Sequence, residues 1–154
     1  MNMLSSHKYF VINIILLTLP VKSAEEKIVP TSSYVSICVG SLQKEVDWLL
    51  KNIDSQKLSD KSEKAIMERT LNSLEQIKKI ACNPDYEDIT YTVKNRERIK
   101  AEISLKFEDK INNAVAALLG FDASLSNNAS FKDKVKAMKE HLDTAHTTLL
   151  AVSK

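Results

Sequence analysis

The sequence predicts an all-α fold, a single up-down-up-down four-helix bundle with one interhelical disulfide. Three observations lead there. The 154 residues include only two glycines and three prolines, too few for the many tight turns of a sheet-rich fold, while Lys, Glu, Leu and Ala are abundant. Apolar residues recur at steps of three and four in four separate blocks, the spacing of a helix with one buried stripe. The blocks are joined by about 5–12 residues, a length that favours antiparallel neighbours.

The chain divides into residues 1–23, a cleavable secretory leader; 24–33, an N-terminal arm; and 34–154, the helical bundle. Lys8 supplies a positive start and "FVINIILLTLP" (10–20) an apolar run of leader length. Val21 and Ser23 suit the positions before a cleavage site, so the mature chain is expected to begin at "AEEKIVP". The run is shorter than the roughly 17–25 residues of a membrane span. No later run approaches that length, so the mature chain is expected to be soluble, with no transmembrane segment after cleavage.

The first helix is predicted over residues 34–54, where Val35, Val39, Leu42, Val46, Leu49 and Ile53 form one stripe. Thr31 to Ser33, after Pro30, offer N-caps. The second is predicted over 60–82 on Met67, Leu71, Leu74, Ile77 and Ala81, with Asp60 and Glu63 as its capping pair. It stops before Pro84, which cannot continue a helix and disfavours helical geometry at Asn83.

The third helix, 88–119, carries Ile99, Ile103, Phe107, Ile111, Ala114 and Leu118, with Val115 and Leu119 widening the stripe. Gly120 suits the left-handed position beyond its end. "ITYTV" (89–93) alternates with period two, but a lone strand has nothing to pair with, so it reads as an irregular lead into this helix. The fourth helix, 130–152, follows Phe131, Val135, Met138, Leu142, Ala145, Leu149 and Val152, with Ser130 as cap.

Charge narrows the partners. The full chain has 22 basic and 20 acidic side chains, but Lys8 and Lys22 leave with the leader and no acid does. The mature domain is therefore balanced and lacks the basic excess that nucleic-acid binding requires. Two isolated glycines also exclude phosphate-cradling and dinucleotide-binding loops, which need several close together.

The two cysteines, Cys38 and Cys82, are expected to pair. An exported chain meets an oxidising compartment, and in an antiparallel hairpin the start of the first helix neighbours the end of the second. Such a bridge closes a loop of about 45 residues, worth about 3–4 kcal/mol in the chain-entropy account.

No catalytic, cofactor-binding or metal-binding residue emerges. His141 and His146 are five apart, about 140° around a helix, whereas a helical metal pair needs i, i+4 spacing. They read as flanking residues, and His141 could meet an acid from another helix. No GxSxG is present, and Asp85 and Asp88 sit where capping explains them. Asn128-Ala129-Ser130 has the form of an N-glycosylation acceptor, which requires a eukaryotic source.

With four helices and a histidine on the fourth, the outline resembles soluble cytochromes that bind non-covalent haem through a methionine on helix one and a histidine on helix four. Helix one contains no methionine, and CxxCH is absent. "ASFKDKVK" (129–136) resembles a segment of small periplasmic acid-stress chaperones, which are helical with one disulfide. The likeness spans about eight residues, and the segment lies farther beyond the second cysteine than in that family.

The leading expectation is a non-enzymatic, secreted or periplasmic helical domain, monomer or homodimer, acting on an unknown protein partner. Trp48 and Ile37 lie off the first stripe and are the candidate partner contacts, unless the arm with Ile28 and Val29 folds back over Trp48. The alternatives are a periplasmic acid- or stress-responsive chaperone and a haem- or small-ligand-carrying bundle.

Overall fold

The structure, a computed structural model, describes residues 34–54, 58–83, 85 and 96–152. The leader, the arm, the caps Thr31 to Ser33, Asp88 and "ITYTV" lie outside the described residues. Those described form four helices and no strand: α1 Tyr34–Asn52, α2 Asp60–Ala81, α3 built of three consecutive pieces (Arg96–Glu102, the π-helical Ile103–Phe107 and Glu108–Leu118), and α4 Phe131–Val152.

Each helix packs against its neighbours in sequence, and α1 closes the ring on α4. Cross-helix bonds give the directions. Gln43 meets Asp143 while Asp54 meets Lys132, so α1 and α4 run antiparallel. On the other side Lys78 of α2 donates to Asn112 of α3 at 3.0 Å. The α3–α4 seam is the most extensive of the four and the α1–α2 seam the slightest.

The core is the meeting of the four stripes. Val35, Val39, Leu42, Val46 and Leu49 of α1 are buried, as are Phe131, Val135, Met138, Leu142, Ala145, Leu149 and Val152 of α4. Helix α2 is rotated from its expected stripe. Ile66, Thr70, Ser73, Leu74, Ile77 and Ala81 are buried, whereas Met67 and Leu71 are half-buried at the margin. The Thr70 hydroxyl is satisfied by donating to the Ile66 carbonyl one turn back, at 2.8 Å. The cap of α2 also falls one residue earlier than expected, on Ser59, whose Oγ accepts from the Ser62 N–H at 3.1 Å.

The π segment of α3 has a cause in the sequence. Ile99, Ile103, Phe107 and Ile111 are spaced by four, and each such step over-rotates an α-helix by about 40°. A wider turn takes up that rotation, marked by the Glu108 N–H donating to the Ile103 carbonyl five residues back. All four side chains thereby stay buried.

The expected disulfide is not formed: Cys38 and Cys82 are both free thiols. The expectation treated α1 and α2 as broadly packed partners, but α1 packs chiefly on α4 and α2 chiefly on α3. Cys38 consequently sits in the core beside Tyr34, and Cys82, which caps α2, turns towards Glu108 of α3. The two sulfurs point into different seams.

Candidate functional site

Helix α3 ends in a closed C-terminal motif that sets the geometry of the corner before α4. Gly120 adopts φ +92°, the left-handed region that glycine enters without strain. Its N–H donates to the Ala117 carbonyl at 2.9 Å, and the Phe121 N–H donates to the Ala116 carbonyl at 2.8 Å. In this motif the residue after the glycine usually packs back on the residue three before the cap. Here that residue is Ala116, too small to cover a phenyl ring, and Phe121 is left 78% exposed.

The next residue locks the corner. Asp122 Oδ1 accepts from the Ser124 N–H at 2.8 Å and from the Ser124 hydroxyl at 2.7 Å. Its Oδ2 is 2.5 Å from His141 Nε2 on α4. The bonds from Ser124, backbone first, and then from His141 hold the Asp122 carboxyl down at about 2. His141 therefore does meet an acid, one supplied by the loop rather than by another helix. An exposed aromatic ring thus stands between a closed helix end and a triply bonded carboxylate.

Serine at 130 then starts α4, its Oγ accepting from the Asp133 N–H at 3.1 Å, as the sequence predicts. The second histidine serves a different seam. His146 Nε2 lies 2.9 Å from Ser36 Oγ, and burial lowers its pKa below the usual imidazole value, opposed by Asp143. Lys139 completes this seam, contacting Asp143 at 2.7 Å and Asp47 at 3.2 Å. The two imidazoles bind different partners on different elements and do not converge on one point.

The expected partner contacts separate. Ile37 is 51% exposed, as its position off the stripe implies. Trp48 is half-buried and packs against the core, so the ring that the sequence offers as an anchor spends much of its surface on the fold. Phe121 was not singled out from sequence. The signal for it was present: a Gly at the helix end followed by an aromatic, with Ala rather than a large apolar residue at the position it would cover.

Around the cysteines the chemistry is subdued. Burial, and then the negative charge and hydrogen bonding of Glu108, push the Cys82 thiol up to about 11 against the opposing effect of Lys78. Burial also raises Cys38 to about 11. The Tyr34 hydroxyl beside it is buried, and burial followed by the charge and then the hydrogen bonding of Cys38 raises it to about 12. An open groove of about 680 Å³ runs beside Cys82 and Glu108, edged by Asn72, Gln76 and Lys79 of α2. Its walls mix apolar surface, including Ile80, with charged side chains of both signs. No described helix is long and apolar enough to cross a membrane.

No known protein family, curated protein or solved structure matches the chain.

Proposed function

We propose that this chain is an exported helical protein that works by contacting another protein, through the α3–α4 corner, and not by catalysis. Export rests on the leader-like residues 1–23, with their basic start, apolar run and small-residue end. The contact role rests on one observation, the Phe121 ring held 78% exposed on a corner that is rigidly bonded on both sides. Exposed aromatics on preorganised backbone make effective interface anchors, because little entropy is lost when they are covered. Ile37, exposed near the start of α1, is a separate apolar residue and not part of this corner. The Asp122–His141 pair fits this reading, since its carboxylate is occupied in holding the turn.

The test is a partner search with built-in variants. The mature chain is cross-linked in its native setting, the partner is identified, and its affinity is measured against wild type, Phe121→Ala and Leu105→Ala. Phe121→Ala is expected to weaken binding by about 30-fold with unchanged helicity, the loss of about 2 kcal/mol typical of an anchor. Leu105→Ala, also at an exposed apolar residue, is expected to bind as wild type. Equal affinity for wild type and Phe121→Ala would refute the corner as the contact. N-terminal sequencing of the exported chain is expected to begin at Ala24, and an intact Met1 start would refute cleavage.

A further inference from the structure

The chain contains a single Asn-X-Ser/Thr triplet, Asn128-Ala129-Ser130, and the fold gives it a specific setting. It lies in the connection between α3 and α4, where Ser126, Asn127 and Asn128 are all exposed. The Ala129 N–H donates to the Ser126 carbonyl at 3.2 Å, which turns the chain and leaves Asn128 at the surface. Ser130, the hydroxyl residue of the triplet, is also the N-cap of α4.

We propose that Asn128 is the acceptor of an N-linked oligosaccharide, an inference that rests on the export reading above but not on the role of Phe121. Transfer of this kind needs a chain in an exported compartment, a hydroxyl two residues on, and a surface loop with room for a bulky polar group. The hydroxyl and the surface loop meet at this turn; the compartment is the export reading above, in a eukaryotic source. The donor is a lipid-diphosphate-linked oligosaccharide. Asn128 Nδ2 forms a bond to the anomeric carbon, the bond from that carbon to the diphosphate oxygen breaks, and the lipid diphosphate departs with the electron pair while the amide loses one proton.

The double use of Ser130 has a consequence. In the folded chain its Oγ accepts from the Asp133 N–H, so the same hydroxyl is shared between the triplet and the helix cap. Substitutions can divide these uses. Asn128→Gln removes the acceptor and keeps the cap. Ser130→Thr keeps both. Ser130→Asp keeps a good cap and removes the hydroxyl.

The experiment expresses the full chain in a eukaryotic secretory cell in two forms, one with its own residues 1–23 and one with those residues replaced by an established secretory leader. Intact mass is measured before and after peptide-N-glycosidase. Expected is an added oligosaccharide mass that the enzyme releases, leaving Asp at position 128. It should persist in Ser130→Thr and be absent in Asn128→Gln and in Ser130→Asp, all with wild-type helicity. If the replaced-leader form is processed yet carries no sugar, the proposal is overturned. If that form is glycosylated while the native-leader form is neither processed nor modified, the acceptor stands and the export reading falls. Sugar that survives Asn128→Gln would also overturn the assignment.

Discussion

The two glycines of the chain occupy opposite backbone situations, and replacing each by alanine is expected to change stability in opposite directions. Gly40 lies inside α1 with ordinary helical geometry, and a Cβ added there would meet nothing nearer than His146 Cε1 at 4.0 Å. That is normal van der Waals contact. Gly40→Ala therefore removes unfolded-chain entropy without a steric cost, a gain of about 0.5–1 kcal/mol. Gly120 sits at φ +92°, where an L side chain costs about 1–2 kcal/mol. A Cβ there also approaches Lys134 Cε at 3.2 Å, but that flexible side chain can give way, so the backbone cost dominates. The two variants should differ by about 1.5–3 kcal/mol, measured by urea unfolding followed by far-ultraviolet circular dichroism. A Gly120→Ala protein as stable as wild type would refute the left-handed helix end. A destabilised Gly40→Ala protein would show that α1 and α4 approach more closely at His146 than the structure has them.

Other outcomes follow from the same geometry. Asp122 titrates at about 2 in the folded chain against an ordinary 3.8, so its stabilisation is complete above about pH 4 and is lost as pH falls towards 2. Asp122→Ala should lower stability near neutrality and flatten that acid limb, read from urea unfolding at a series of pH values; an unchanged limb would count against the corner bonds. His146, also lowered, should add a decline that begins below its ordinary 6.5, and Ser36→Ala or His146→Ala should alter it. Denatured protein prepared without reductant should titrate two thiols. In the native state both should react slowly at pH 8, because Cys38 is only 1% exposed and both thiols are pushed up to about 11. A mass gain of two hydrogens on reduction would instead show a bridge.

Much of the architecture was legible because helix periodicity is a local property. The stripes of α1, α3 and α4 are buried from Val35 to Leu49, from Ile99 to Leu118 and from Phe131 to Val152, while Ile53 and Val115 are half-buried and Leu119, expected to widen the third stripe, is exposed where its helix ends. Ser130 and Gly120 mark boundaries through backbone chemistry that needs no distant partner. The π turn of α3 is also written in the four-residue spacing from Ile99 to Ile111, which by itself reads only as a stripe. Helix α2 was misphased because its Met67 and Leu71 are larger apolar residues than the Thr70 and Ser73 that the core actually receives. Periodicity favours the more apolar face, and only packing decides how far a helix rotates about its axis.

Pairings between helices were the less legible part. That Cys38 and Cys82 stand near the same end of a hairpin followed from helix lengths. Whether their sulfurs face each other depends on the rotation of both helices, and the closer packing of α1 on α4 and of α2 on α3 turns them into separate seams. The same holds for the candidate site. The sequence by itself determined a balanced, helix-rich chain with a leader-like start, four apolar stripes and a glycine-ended third helix, all consequences of local backbone and side-chain chemistry. Only the tertiary structure decided that Trp48 leans on the core, that Asp122 reaches His141, and that Phe121 is left in solvent, because each of these depends on which surfaces the four helices spend on one another.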